Sequence, residues 1–211
     1  MANIQVTNVT KAYGQKKLFE DVNVAFSEGR RYGLTGPNGA GKSTFLKILA
    51  GELEPDTGSV SRPKRTSVLK QDHFAFENDR VLDVVLQGNQ VLWKVLQEKE
   101  RLLAKPELSD EDGMKLAHLE HEIAEEDGYS AESEAAELLG GLGIPEKLHT
   151  RAMRELPGGL KVRVLLAQAL FGKPHALLLD EPTNDLDLDS IRWLEKFLCG
   201  YEGVLITISH D

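Results

Sequence analysis

Apolar and polar positions alternate at the start of the chain. Ile4, Val6 and Val9, then Val22, Val24 and Phe26, predict two strands, with Gly14-Gln15-Lys16-Lys17 as the turn between them. Tyr32-Gly33-Leu34-Thr35 predicts a short strand running into a glycine-rich loop, and residues 45–50 predict a helix that Gly51 ends. Val68-Leu69-Lys70-Gln71 reads as another short strand. From 81 to 103 the period changes: Val81, Val84, Val85, Trp93, Leu96 and Leu103 recur at helical spacing. After a break at 106–110, Ser109 predicts an N-cap supported by Asp112 three residues on, and a polar helix follows to about 127. Together these segments predict a helical hairpin inserted into an α/β domain. Helices over 131–139, 160–170 and 191–198 alternate with strands over 176–179 and 204–208, so the main sheet should be mostly parallel. The chain stops at Ser209-His210-Asp211, straight after a strand, which predicts that further chain follows.

Composition narrows the class without naming a function. At 211 residues, 41% apolar and 28% charged, the chain reads as an ordinary globular protein able to bury a sizeable core. No apolar run approaches the length of a membrane span, and no apolar N-terminal signal is present. The single cysteine, Cys199, excludes an internal disulfide and fits a cytoplasmic setting. A net charge of −9 argues against broad grip on nucleic acid while leaving room for a local RNA contact. Between 98 and 127 stand 11 Asp/Glu against 4 Lys/Arg. That segment is either a solvated face or a projecting arm that touches a partner. The six histidines show no metal-binding spacing, and His118 and His121 read as part of a solvated helix face.

Two stretches carry chemistry. The apolar strand at 176–179 ends in Asp180 and Glu181, at the edge of an open α/β sheet where ligands bind. One acid can hold magnesium while the other aligns a water for attack on a phosphate. A strand ending in a helix-capping acid would explain only one of the two. Gly36-Pro37-Asn38-Gly39-Ala40-Gly41-Lys42-Ser43 has the P-loop pattern, with a strand before it and a helix after it. Its glycines let backbone N–H groups cradle phosphate oxygens at a helix N-terminus. Lys42 would reach the β- and γ-phosphates of ATP, Ser43 would ligate Mg2+, and Thr44 would bond the α-phosphate region. Gln71 is either a surface residue or a sensor of magnesium and γ-phosphate. His210 is either an edge residue or a γ-phosphate contact. Tyr13 is either packed or stacked on adenine.

In the order Tyr13, Gly36 to Ser43, Gln71, Pro157-Gly158-Gly159, Asp180-Glu181, His210, the chain resembles an ATP-binding-cassette domain over nearly its whole length. Leu156-Pro157-Gly158-Gly159-Leu160 aligns with the family signature Leu-Ser-Gly-Gly-Gln. The stretch Glu181-Pro182-Thr183-Asn184-Asp185-Leu186-Asp187, together with Arg192-Trp193-Leu194-Glu195, the hairpin and 127–132, is similar to the ABC-F proteins, above all the first cassette of YbiT-like members. The resemblance implies an α/β P-loop fold with a mostly parallel sheet, an N-terminal antiparallel β part and an inserted helical subdomain with an arm. Residues 1–80 would form the β part and P-loop core. Residues 81–155 would form the helical subdomain, with its arm at about 90–127, and 156–211 the signature helix and the strand bearing the acids. It further implies ATP hydrolysis by two cassettes that sandwich two ATPs, each signature (here Pro157, Gly158, Gly159 and Leu160) capping the other cassette's nucleotide. Family members are ribosome-associated near the tRNA exit site, where the arm makes ribosomal contacts with rRNA and tRNA nearby.

Two departures qualify that picture. Pro157 replaces the usual serine and cannot donate a hydroxyl to a γ-phosphate, a loss of about 1.5–3 kcal/mol, and Leu160 replaces glutamine. No second cassette is present, so the partner would be a second cassette of a longer chain or another copy of this one. Besides the translation-factor reading, the same motifs fit the ATPase subunit of a membrane transporter, or a nucleotide-binding module without turnover in isolation.

Overall fold

The computed structural model describes residues 3–69 and 74–209. The chain divides into two compact units: Met1–Lys70 with Lys173–Asp211, and Gln71–Gly172.

The first unit holds two sheets. Strands β1 (Asn3–Tyr13), β2 (Lys16–Ser27) and β4 (Thr57–Ser61) form an antiparallel sheet in the order β2-β1-β4. Strands β3 (Arg31–Leu34), β5 (Thr66–Val68), β6 (Ala176–Asp180) and β7 (Val204–Ile208) form a parallel sheet in the order β3-β7-β6-β5. Helix α1 (Lys42–Ala50) follows β3, and α7 (Leu188–Cys199) joins β6 to β7. One core unites Ile4, Val6 and Val9 of β1, Leu46, Ile48 and Leu49 of α1, and Leu178 and Ile206 of the parallel sheet. At about 1.5–3 kcal/mol for each large apolar side chain fully buried, this shared core ties both sheets to the helix that carries the P-loop. β6 is buried from Ala176 to Leu179, as its unbroken apolar run predicts for a central parallel strand. The alternation-based expectation did not anticipate β4, because Val60 is its only apolar residue. β5 covers Thr66–Val68, so the strand expected over 68–71 lies earlier, and Gln71 falls outside the described residues.

The second unit is helical. It comprises α2 (Val81–Leu86), α3 (Gln90–Leu103), α4 (Asp110–Glu125), α5 (Ala131–Gly141) and α6 (Gly158–Leu170). The periodic segment 81–103 is two helices rather than one. Gly88 lies at the break, and a Cβ there would stand 2.1 Å from the backbone oxygen of Gln168 on α6. Asn89 then caps α3 by accepting from the Leu92 N–H at 3.2 Å. Buried Gln168 returns a bond of 2.8 Å from Nε2 to the Val84 carbonyl. Gly88→Ala should therefore lower stability by about 2 kcal/mol through overpacking. That corresponds to a drop in Tm of roughly 5 °C in a thermal melt.

The capping box at Ser109 and Asp112 is present, and α4 returns against α3. Four of the five basic side chains of this hairpin pair with its own acids. Lys99 meets Glu120 at 2.7 Å, Arg101 meets Glu98 at 2.7 Å, Lys105 meets Asp112 at 2.6 Å, and Lys115 also meets Glu98. The Arg101 guanidinium, then the Lys115 ammonium, hold the Glu98 carboxyl down to about 2 from an ordinary 4.5. The Lys105 ammonium, then the Ser109 N–H, hold Asp112 at about 2 from 3.8. Both folded-state values are depressed, so the stabilisation is present above the ordinary carboxylate values and fades as pH falls towards 2. Carboxyl NMR titration should show both groups protonating near pH 2 rather than near 4.

Candidate functional site

The parallel sheet brings the P-loop and the acid pair to one edge. β7 lies between β3 and β6, with Leu34 paired to Ile208 and Ile208 to Asp180. Three strand ends therefore stand in one row, and the outer two are about 10 Å apart at the usual strand spacing. The P-loop leaves β3 at that row, and Asp180 and Glu181 close β6 at the same level.

The loop between β3 and α1 is exposed from Gly36 to Ala40. Gly36, Gly39 and Gly41 have φ of 148°, 79° and 96°, values that L side chains rarely adopt. Gly41 opens α1 in the left-handed region, and a Cβ on it would lie 3.2 Å from the Leu18 Cβ of β2. Phe19 and Phe45 pack edge-on beneath the loop with centroids 5.3 Å apart. Lys42 Nζ donates to the carbonyls of Gly36 at 2.7 Å and Pro37 at 3.2 Å, so the ammonium lies folded against the loop. The Ala40 N–H closes a turn on the Pro37 carbonyl at 3.2 Å. Asn38 lies at the exposed crest, exposed Ser43 is the second residue of α1, and half-buried Thr44 the third. Such a loop, with glycines in the left-handed region and a helix N-terminus behind it, is suited to an anion with several oxygens.

Tyr13 ends β1 and pairs across the hairpin with Lys16. Tyr13 is 56% exposed and its ring centroid lies 5.8 Å from Lys11 Nζ, so it is a surface residue rather than a packed core group. The adjoining Lys11 also bonds Asp56 Oδ1 at 2.7 Å, which lowers the Asp56 carboxyl below its ordinary value. In the sequence Lys16 reads as a turn residue only. Its Nζ is 3.9 Å from the point where a Gly39 Cβ would stand, which puts a second ammonium beside the P-loop. Its place three residues after Tyr13, across a tight turn, is the only sequence signal for that approach.

Asp180 and Glu181 are both half-buried. Glu181 has φ 48°, and its N–H donates to the Ile208 carbonyl at 3.0 Å. Asn184 Nδ2 donates to Glu181 Oε2 at 2.6 Å. Ser43 and Asp180 offer a hydroxyl and a carboxylate, the oxygen donors that magnesium takes. Among the described residues no cluster of three or more His, Cys, Asp or Glu is placed to hold a metal. Gln71 and His210 lie outside the described residues.

The signature residues belong to the second unit. Pro157 is the N-cap of α6 and not its first helical residue, at φ −57° and ψ 150°. Its carbonyl accepts from the N–H groups of Leu160 at 3.0 Å and Lys161 at 3.2 Å. Gly158 and Gly159 open the helix, exposed, and a Cβ on either would meet nothing within 4 Å. Leu160 is half-buried. Lys161 is buried and its ammonium meets Glu77 at 3.2 Å.

A family model described as "ABC transporter" matches residues 19–184. The chain belongs to that family. Within it the relatives are of the ABC-F type. The chain is 58% identical over 210 residues to the uncharacterised ABC transporter ATP-binding protein YkpA of Bacillus subtilis, covering 99% of this chain and 39% of that protein. It is 56% identical over 207 residues to the probable ATP-binding protein YbiT of Escherichia coli O157:H7, covering 97% and 39%. ABC transporter F family member 4 of Arabidopsis thaliana is 38% identical over 207 residues, covering 93% and 28%. The chain thus spans about two-fifths of the bacterial relatives. A dimeric ATP-binding cassette solved in a post-hydrolysis state with ADP and Pi shares the fold, with TM-score 0.68 at 22% identity, over 99% of this chain and 88% of that one. Among the described residues no helix of this ABC-F cassette is long and apolar enough to cross a membrane.

Proposed function

We propose that this cassette binds and hydrolyses ATP with magnesium, and that it is the first of two cassettes in a cytoplasmic, ribosome-associated ABC-F translation factor. The observation that carries the ATPase reading is the single row formed by Leu34, Ile208 and Asp180, which sets the P-loop and both acids at one sheet edge. In this reading Tyr13 stacks on adenine, and the backbone from Gly36 to Gly41 cradles the phosphates. Lys42 holds the β- and γ-phosphates, and Thr44 the α-phosphate region. Magnesium bound to Ser43 and Asp180, with Gln71 as a further ligand, would neutralise phosphate charge. Glu181 aligns the attacking water and His210 contacts the γ-phosphate.

Pro157, Gly158, Gly159 and Leu160 face the nucleotide of the opposite cassette. The γ-phosphate there would meet the leading amides of α6 in place of a serine hydroxyl. Alone, the chain would hydrolyse ATP very slowly, because its own P-loop waits for the other signature.

The ribosomal half of the proposal is supported by the ABC-F relatives and by the α3–α4 hairpin. Four of its five cations are engaged in pairs within the hairpin, so its contact would draw little on lysine and arginine. Co-sedimentation with ribosomes tests this half, using the full-length protein with Glu181→Gln in the presence of ATP. ATP-dependent recovery in the ribosomal pellet is expected. Recovery that ignores nucleotide, or none at all, would exclude a nucleotide-gated ribosome factor.

A further inference from the structure

The loop after β6 contains a contact between two of its own side chains, Asn184 and Glu181. Glu181 is held in the left-handed region, which side chains other than glycine rarely adopt. Bonds among the described residues hold it there. Its N–H donates to the Ile208 carbonyl at 3.0 Å, its carbonyl accepts from the Asn184 N–H at 3.3 Å, and Asn184 Nδ2 donates to its Oε2 at 2.6 Å. Asn184 therefore grips Glu181 through both backbone and side chain. The loop beyond is fixed in turn. Leu186 N–H bonds the Thr183 carbonyl at 3.1 Å, and Asp187 Oδ1 caps α7 by accepting from the Ser190 N–H at 2.9 Å.

We propose that Asn184 is a positioning residue for hydrolysis. Its amide fixes the rotamer of the Glu181 carboxylate, so that the carboxylate keeps one orientation towards the water it aligns. This rests on the reading of Glu181 as the water-aligning group. The physical reason is geometric. A glutamate side chain has three rotatable bonds, and one short bond to a terminal oxygen removes most of that freedom before the nucleotide arrives. The donor must be neutral, since a carboxylate in its place would repel Glu181 and a cation would compete for phosphate. The amide of Asn184 meets both conditions. It also gives a local role to a residue that the sequence marked only as a sign of the family branch.

The test compares Asn184→Ala and Asn184→Asp in the full-length protein, alone and with Glu181→Gln, by steady-state ATPase kinetics. Asn184→Ala should lower kcat about tenfold and leave KM within about twofold, because the contact concerns the reacting water and not ground-state binding. Asn184→Asp keeps the size and shape of the side chain and should be the worse of the two. A loop staple held by packing alone would give the opposite order. In the Glu181→Gln background, Asn184→Ala should change the residual rate less than about twofold, as expected for residues acting through one group. An unchanged kcat in Asn184→Ala, full activity in Asn184→Asp, or losses that multiply in the double variant would overturn the proposal while leaving ATP hydrolysis intact. A wild-type protein that binds ATP without turning it over would instead remove the role of Glu181, and this proposal with it.

Discussion

Lys42→Ala should weaken ATP binding by roughly 30- to 150-fold, the equivalent of about 2–3 kcal/mol. The Lys42 ammonium already bonds two loop carbonyls, so bringing it to a phosphate exchanges neutral acceptors for charged ones. Hydrogen bonds to charged groups are worth about 1.5–3 kcal/mol each, against about 1 kcal/mol for a neutral one, so the exchange favours the phosphate. The variant should remain folded, because α1 is anchored by Leu46, Ile48 and Leu49 and not by Lys42. Titration with a fluorescent ATP analogue, paired with a thermal melt, separates the two effects. Unchanged affinity would remove the P-loop assignment.

Glu181→Gln should lower kcat by at least about 100-fold, the usual scale for losing a general base, with ATP affinity kept within about twofold. The amide oxygen of the new side chain can still accept from Asn184 Nδ2, so the loop keeps its shape. What it loses is the negative charge that polarises water. A protein that binds ATP and does not consume it stays in its nucleotide-bound state, which is why this variant serves the ribosome experiment. Retained turnover would assign the water to another group.

The legibility of the site varied with how local each signal is. The P-loop, the acid pair and the Ser109–Asp112 capping box were plain in the sequence, because each depends on residues a few positions apart. Gly51 was legible as a helix stop for the same reason, and it caps α1 in the left-handed region at φ 78°. The single helix expected over 81–103 failed at Gly88, where the approach of Gln168, distant in sequence, leaves no room for a side chain. β4 was not legible because a sheet with one other apolar strand as partner demands little alternation of its own. Val60 pairs with Val6, and that cross-strand contact suffices.

By itself the sequence determined most of the element types, the glycine-rich P-loop pattern, the pair of acids and the family. Periodicity, cap chemistry and motif order are written in neighbouring residues. Tertiary structure decided the strand order β3-β7-β6-β5, which brings the end of the chain between the P-loop strand and the acid-bearing strand. It also decided the approach of Lys16 to Gly39 and the bond from Asn184 to Glu181. Those arrangements follow from crossover packing and from side chains meeting across folded backbone, and no local pattern of apolar and polar residues encodes them.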